Sequence, residues 1–451
     1  MRKTAVSTPI RDRLLSYAES GSARLHMPGH KGRGGVESLD VTEIRGIDSL
    51  YPSRGIALES EQNAAALFGS ARTLYSAEGS SLCVRAMLYL ALLHAREQGR
   101  EAVVLAGRNA HSSFLSAAAL LDLRIRWLRS DSLLSCRPSA AETEAALEAL
   151  ETPPMAVYLT SPDYLGWMAD IAGIAAVCRR RGVPLLVDNA HGAYLRFLRD
   201  DRHPLSLGAD MTCDSAHKTL PVLTGGAYLH IHSRAPALFA EQADRAMALF
   251  ASTSPSWLIL RSLDECNAYL AGEGREAIPA LADRAEGIKA RLRAAGFETA
   301  GEEPLKLTLA PKGVGYTGDQ LLDALRERGI ECEFADPDFL VMMLSPFNRE
   351  EDLVRMEAAL TELPRREPIR TGPPPMPRTD AALTPREALL SPAETVPLSA
   401  CPGRILADPR AACPPAVSIL AGGERITGEA VRCFAYYGFD ALSCVRNPDG
   451  G

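Results

Sequence analysis

Residues 209–230 form the segment Ala209-Asp-Met-Thr-Cys-Asp-Ser-Ala-His-Lys-Thr-Leu-Pro-Val-Leu-Thr-Gly-Gly-Ala-Tyr-Leu-His230. Its one lysine, Lys218, lies between short polar residues and an apolar run that contains two glycines. A surface lysine normally lies in a charged helical context, whereas here a strand would end and a loop would begin. A lysine held there could form a Schiff base with an aldehyde cofactor. A plain exposed lysine is the alternative.

A second strand end lies thirty residues upstream, in Val183-Pro-Leu-Leu-Val-Asp-Asn-Ala-His-Gly192, where an apolar run ends in Asp188. Ligands of open parallel sheets gather at the carboxyl ends of the strands. Pyridoxal phosphate needs a carboxylate against its ring nitrogen, because the protonated ring accepts the electrons released at the substrate α-carbon. The spacing from Asp188 to Lys218 fits one crossover between strands. The alternative for Asp188 is an N-cap at a strand-to-helix turn.

Two further segments fit the same kind of site. Ser80 and Ser81 precede a helical pattern, where the first N–H groups, the helix dipole and the hydroxyls can hold a phosphate, although a plain helix cap looks the same. His111 follows an apolar run and could stack on a flat heteroaromatic ring, or be an ordinary loop residue. The order of phosphate-type turn, histidine, aspartate and lysine is that of a pyridoxal phosphate site in a doubly wound domain.

Hydrophobic patterning gives the domain organisation. Between about residues 60 and 235, helical patterns alternate with short apolar runs, which predicts an α/β domain with a mostly parallel sheet covered on both faces. Helices are predicted over 82–97, 171–181, 317–328 and 427–437, and strands over 102–106, 155–159, 183–187 and 339–344. The prolines of 364–397 argue against any helix or central strand there. The predicted divisions are an arm and loop segment (1–60), a cofactor-binding major domain (61–258), a small α+β domain (259–365), a proline-rich linker (366–397) and a C-terminal α+β domain (398–451).

Composition limits the classes of function. The chain has 451 residues, of which 46% are apolar and 23% charged, as in ordinary globular proteins. The net charge of −7 gives no basic field for nucleic acid. The sequence has no apolar run of membrane-spanning length, and its basic start lacks the apolar stretch of a secretory signal. Ten scattered cysteines, none in a CxxC pair, favour reduced thiols in a cytoplasmic protein without a metal site.

Several motifs occur together in one order along nearly the whole chain. They are Met-Pro-Gly-His-Lys-Gly (27–32), Gly-Ser-Ser (79–81), Arg-Asn-Ala-His (108–111), Thr-Ser-Pro-Asp-Tyr (160–164), Asp-Asn-Ala-His-Gly (188–192), Asp-Ser-Ala-His-Lys-Thr-Leu-Pro (214–221), Ser-Thr-Ser-Pro-Ser-Trp (252–257), Pro-Pro (414–415) and Gly-Glu-Arg-Ile-Thr (423–427). In these motifs the sequence resembles the Orn/Lys/Arg decarboxylase family, within the fold type I (aspartate aminotransferase-like) superfamily of pyridoxal phosphate enzymes. It resembles the shorter members, which lack an N-terminal regulator-like domain.

The resemblance implies a role for each matching residue. Lys218 would carry the cofactor, Asp188 would pair with the pyridine nitrogen, and His217 or Lys218 would protonate the α-carbon. The remaining expected cofactor contacts are His111 on the ring face, Ala190 beneath the ring, His191 near the phenolic oxygen, and Ser80, Ser81, Ser215 and His217 at the phosphate. Thr253 and Ser254 would reach the phosphate of a neighbouring subunit in a homodimer, and Glu424 would pair with a cationic substrate side chain.

The implied reaction is decarboxylation of a basic amino acid, arginine or lysine ahead of ornithine. Two alternatives stay open: an aminotransferase or aldolase acting on another amino acid, and a homologue that binds the cofactor without turnover. The chain departs from the family pattern at Asn189, where the family has an acidic residue, and at 414–418, where the family often has Pro-Pro-Gly-Ile-Pro.

Overall fold

The computed structural model describes residues 6–47, 49–128, 132–407 and 417–446. The strands are β1 (Arg72–Ser76), β2 (Val103–Gly107), β3 (Arg124–Leu128), β4 (Ala156–Thr160), β5 (Leu185–Asp188), β6 (Met211–Asp214), β7 (Ala227–Ile231), β8 (Glu298–Ala300), β9 (Lys306–Ala310), β10 (Phe334–Ala335), β11 (Leu340–Met343), β12 (Ala393–Pro397) and β13 (Ala441–Val445).

The α-helices are α1 (Pro9–Glu19), α2 (Gly55–Phe68), α3 (Gly79–Glu97), α4 (Ser112–Leu121), α5 (Ala140–Glu148), α6 (Ile171–Arg180), α7 (Pro204–Leu207), α8 (Ala216–Thr219), α9 (Ala237–Glu241), α10 (Ala243–Phe250), α11 (Trp257–Ala271), α12 (Gly274–Ala294), α13 (Gly318–Arg326), α14 (Glu350–Thr361), α15 (Pro385–Leu390) and α16 (Gly428–Tyr436). In the described ranges, none of these helices is both long and apolar enough to cross a bilayer.

The main sheet has seven strands in the order β1-β7-β6-β5-β4-β2-β3. The pairs β2–β3 and β5–β6 are parallel, and β7 runs antiparallel to both β1 and β6. The predicted α/β class with a mostly parallel sheet is therefore confirmed. The eight helices and strands predicted from patterning are also present, each within a few residues of its predicted bounds.

The chain divides into two compact units. The first comprises residues 1–101, 155–157 and 171–279, and the second comprises 102–154, 158–170 and 280–451. In the first unit, α3 is buried over most of its circumference, as expected of a helix that lies inside an α/β fold. In the second unit, β10-β11-β9-β8 form an antiparallel sheet, and β12 and β13 form a two-stranded ribbon that packs with α16.

The prediction that residues 364–397 hold neither a helix nor a central strand is wrong for the helix, since α15 lies there, whereas β12 is an edge strand of a two-stranded ribbon. Pro385 is the first residue of α15, a position that needs no N–H donor. Thr384 caps that helix by accepting from Glu387 N–H, and the Glu387 carboxylate accepts from Thr384 N–H in return. Pro397 closes β12, an edge strand. The domain boundaries stay predictions.

Candidate active site

The candidate site begins where two parallel strands of the first unit end. Asp188 is the last residue of β5 and lies opposite Cys213 of β6, so the turns that follow both strands leave the same edge of the sheet. The first turn carries Ala190 and His191. The second runs into α8, a single helical turn that contains Lys218. The sheet therefore brings together two sequence segments that are separated by thirty residues.

Lys218 and His191 meet across these two turns. The Lys218 Nζ lies 3.2 Å from His191 Nε2. Lys218 is exposed, whereas His191 is buried with 5% of its surface exposed. The structure therefore places the amine of an exposed lysine against a buried imidazole.

Asp188 is buried, and its Oδ1 accepts hydrogen bonds from two uncharged donors. The Ala190 N–H donates at 3.1 Å and the Cys213 S–H at 3.5 Å. Burial, followed by the charge of Asp188, raises the pKa of the Cys213 thiol, so this group stays protonated and acts as a donor. These contacts hold the carboxylate in place at the strand end.

A second cluster of donors lies at the N-terminus of α3. The Ser215 hydroxyl donates to Ser80 Oγ at 2.8 Å, which joins the start of α8 to the start of this helix. Gly79 adopts the left-handed φ of +71°, and its N–H donates to Gly225 O at 2.7 Å. A Cβ at Gly225 would lie 2.9 Å from Ala77 O, so the close approach of these two loops requires glycine. Hydroxyls beside the N–H groups of a 19-residue helix suit a phosphate.

His217 has a defined tautomer. Its Nδ1 lies 3.0 Å from Gly226 O, and because a carbonyl only accepts, Nδ1 carries the proton. Burial lowers the pKa of this imidazole, which favours the neutral ring. Neutral His217 therefore has a proton-accepting Nε2.

The arrangement of these residues can be compared with that of known proteins. The family described as Orn/Lys/Arg decarboxylase, major domain, matches residues 8–303, which is more than half of the chain. The chain belongs to the Orn/Lys/Arg decarboxylase family. The resemblance drawn from the motifs is thereby confirmed, and the chain is an amino-acid decarboxylase of this pyridoxal phosphate-dependent family.

Similar proteins extend the match beyond that region. An arginine decarboxylase of Halalkalibacterium halodurans is 29% identical over 460 residues, covering 93% of this chain and 91% of that protein. An arginine decarboxylase of Bacillus subtilis is 28% identical over 481 residues, covering 98% and 96%. The solved structure of the E. coli constitutive lysine decarboxylase superposes with a TM-score of 0.75 at 19% identity, covering 98% of this chain and 82% of that one. The fold is that of fold type I pyridoxal phosphate enzymes.

Behind the two turns of this decarboxylase lies a buried network that the sequence analysis missed. Asp214 Oδ2 accepts from His203 Nε2–H at 2.8 Å and lies 3.5 Å from His230 Nε2, and Asp214 Oδ1 accepts from Asn189 at 2.9 Å. Asn189, His203, Asp214 and His230 are all fully buried. Although burial acts to raise it, the pKa of Asp214 lies below its usual range because the carboxylate interacts electrostatically with His203, which also donates to it, and with nearby His230. Acids and histidines this far apart in sequence leave no local signal.

The same network has the composition of a metal site. His203, Asp214 and His230 each offer a ligand atom, and these three atoms lie within 4.8 Å of one another. The hydrogen bonds account for the groups without an ion, because His203 Nδ1 accepts from Leu205 N–H and so leaves the ring proton on Nε2, which faces Asp214.

Two predicted site residues belong to the second unit. His111 caps the N-terminus of α4, where its Nδ1 accepts from Ser113 N–H at 3.2 Å. Both oxygens of Glu424 accept from Arg108, at 2.7 and 2.6 Å, and both side chains of this ion pair are buried. Arg108 also lies over the Trp127 ring. Arg108 stands in the same strand-end motif as His111, a position that could have drawn attention to it.

The remaining predicted contacts lie near residues that are already described. Thr253 and Ser254 are exposed, and they follow Ser252, whose N–H donates at 2.6 Å to Glu78 Oε1 at the start of α3. Ser81 lies one residue beyond Ser80 in that helix, and Ala190 is 7% exposed. Pro414 and Pro415, the altered C-terminal motif, lie outside the described residues. The functional roles of all these residues stay predictions.

Proposed function

We propose that this enzyme removes the α-carboxyl group of arginine as carbon dioxide, with lysine as the second candidate and ornithine behind both. The observation that carries the proposal is the exposed Lys218 amine at His191, beside the turn that begins with buried Asp188. The preference for arginine is supported by the two relatives that are named arginine decarboxylases.

The residues present fit pyridoxal phosphate as the cofactor. Lys218 would hold the aldehyde, Asp188 the pyridine nitrogen, and Ser80, Ser81, Ser215 and His217 the phosphate, with His111 and Ala190 at the ring and His191 near the phenolic oxygen. The chemistry of the donor set supports this assignment, since an amine, a buried carboxylate and helix-terminal hydroxyls answer the three parts of the molecule. When bound, the cofactor supplies an electron-accepting ring for the pair released from the α-carbon.

The chain's own groups would hold and move the protons. The Asp188 carboxylate would keep the proton on the pyridine nitrogen. His191 Nε2 would accept from Lys218 Nζ and direct that amine. His217 would act differently from a simple acid, because its neutral ring carries the proton on Nδ1 and has to gain a second proton at Nε2 before it can give one to the α-carbon. Lys218 is therefore the preferred proton donor.

We also propose a cytoplasmic homodimer. Thr253 and Ser254 are exposed beside the start of α3, as residues that serve a second subunit would be. The nine cysteines in the described ranges are free thiols, which suits a reducing compartment. Light scattering of the purified protein after gel filtration tests the proposal: we expect twice the mass of the chain, and a monomer with full activity would contradict the shared site.

The experiment that tests the reaction uses carboxyl-labelled arginine, lysine and ornithine with the purified protein and pyridoxal phosphate. We expect labelled carbon dioxide and the matching amine, fastest from arginine and absent with Lys218→Ala. Labelled carbon dioxide from none of the three substrates would reject the proposal. Amine loss that depends on an added keto acid, with the carboxyl group retained, would favour an aminotransferase.

A further inference from the structure

Asn189 fixes the turn 188–192, which carries His191, through its backbone and its side chain. The Asn189 N–H donates to Cys213 O at 2.9 Å, and its carbonyl accepts from Gly192 N–H at 2.8 Å, which closes the turn. The Asn189 side chain folds under this turn, since a Cβ on Gly192 would lie only 2.0 Å from Asn189 Oδ1. The position of Ala190 and His191 therefore depends on where the Asn189 amide is held.

The Asn189 amide is held by Asp214. Asp214 is fully buried at the end of β6, and the side chains that reach its carboxylate come from three separate segments. His203 comes from the start of α7, His230 from β7, and Asn189 from the turn itself. Because the Asn189 amide donates to Asp214 Oδ1 at 2.9 Å and a carboxylate oxygen accepts, the group at position 189 has to be a donor. A carboxylate at 189 would place two like charges at hydrogen-bond distance in a buried site.

We propose that Asp214 is a positioning residue of the cofactor site: acting through Asn189, it fixes the turn 188–192 and hence the distance between His191 and Lys218. The inference rests on the proposed function and deepens it.

The proposal predicts that the pair can be exchanged. In the double variant Asn189→Asp with Asp214→Asn, the new amide at 214 can donate to the new carboxylate at 189. The oxygen of that amide can still accept from His203 Nε2–H. Asn189→Asp places two carboxylates face to face, and Asp214→Asn leaves one amide oxygen for the two donors of His203 and Asn189. A role in positioning requires both single losses and recovery in the double variant.

The test compares the wild type, both single variants and the double variant as apo proteins. The dissociation constant of pyridoxal phosphate is measured by equilibrium dialysis, and the visible absorbance of the bound cofactor is followed against pH. We expect the dissociation constant to rise at least tenfold in Asn189→Asp and several-fold in Asp214→Asn, with a displaced absorbance titration in both. We expect the double variant to lie within about threefold of the wild type.

Asp264→Asn is the matched control, because Asp264 is also fully buried in the first unit but bonds to Ser60 and to Arg11 N–H. It should lower the thermal midpoint of the apo protein and leave the dissociation constant within twofold. The proposal is overturned if either single variant binds pyridoxal phosphate as tightly as the wild type does. It is equally overturned if the double variant binds the cofactor as weakly as the weaker-binding single variant. It is also overturned if the dissociation constant of pyridoxal phosphate rises in every variant, Asp264→Asn included, in proportion to the fall in the thermal midpoint.

Two further results distinguish this proposal from the proposed function and from a metal site. A wild-type protein that binds no pyridoxal phosphate would refute the proposed function, whereas a binding wild type with indifferent variants refutes only the role of Asp214. Elemental analysis gives the second result. One equivalent of metal per chain, whose removal by a chelator weakens cofactor binding as Asp214→Asn does, would show that His203, Asp214 and His230 act as ligands and would overturn the hydrogen-bond account.

Discussion

The two acids that the sequence singles out, Asp188 in the first unit and Glu424 in the second, meet different donors. Asp188 Oδ1 accepts from an amide N–H and a thiol, which are both uncharged. The two oxygens of Glu424 accept from the Arg108 guanidinium in a bidentate pair. The N–H and S–H donors orient the Asp188 carboxylate, whereas the guanidinium also brings a compensating charge to Glu424.

An acid in a functional motif is therefore not by itself a ligand for a cationic substrate. Asp188 ends a strand, where backbone and side-chain dipoles hold it. Glu424 lies in the C-terminal segment, where its charge already has a partner in the protein. We therefore expect substitutions at the two positions to act on different quantities: turnover at Asp188, and the free energy of unfolding at Glu424.

The largest effect on activity is expected at Lys218, which would hold the same cofactor as Asp188. Lys218→Ala removes the attachment point, and Lys218→Arg keeps the positive charge without a nucleophilic amine. Both should lose the visible absorbance of bound cofactor and at least about 1000-fold in kcat/KM, a loss of about 4 kcal/mol in transition-state stabilisation. Circular dichroism should be unchanged. Turnover in Lys218→Arg above a few per cent would contradict the assignment.

Asp188→Asn comes next, because it keeps the shape and removes the charge. Without an anion at the pyridine nitrogen, kcat should fall about 100-fold or more, as for the loss of a strong electrostatic group in an active site. Steady-state kinetics with arginine measure this loss. Cys213→Val is the matched control, since it deletes only one weak donor to the same carboxylate and should change kcat by less than tenfold. Equal effects of the two variants would remove the distinction.

At the other acid, Arg108→Met and Glu424→Gln should each lower the free energy of unfolding by about 3–5 kcal/mol, because each leaves a buried partner without its counter-charge. The double variant should recover part of this loss, as a double-mutant cycle in denaturant will show. A rise in the KM for arginine in Glu424→Gln, with stability unchanged, would instead support the predicted role as substrate partner.

A third buried acid, Glu61, is expected to make the stability of the protein depend on pH. Glu61 accepts from Tyr75 N–H, and burial raises the pKa of Glu61 to about 8. Between about pH 5 and 8 the folded protein thus holds a proton that the unfolded chain has released, so stability falls as the pH rises. The slope for one proton is at most about 1.4 kcal/mol per pH unit. Urea unfolding across this range should show a shallower decline in Glu61→Gln, and parallel curves for both proteins would contradict the prediction.

Features formed by neighbouring residues are predictable from the sequence, whereas contacts that the fold forms between distant segments are not. Strand ends, helix starts and the motifs around Asp188 and Lys218 follow from short-range pattern, and the structure brings His191 to Lys218 and Ser80 to Ser215. The network at Asp214 joins α7, β6, β7 and the turn after β5, so no window of sequence contains it. Helix α15 was missed because proline density was taken to exclude helices, although Pro385 occupies a first position that tolerates it.

The chemical location of the cofactor on the chain tests the role of Lys218 directly. The protein is incubated with pyridoxal phosphate, reduced with borohydride, digested and mapped by mass spectrometry. We expect one pyridoxyl phosphate group per chain, on the peptide that contains Lys218, and none on that peptide in Lys218→Arg. A label on another lysine, or no label on a protein that still releases carbon dioxide from arginine, would contradict this role.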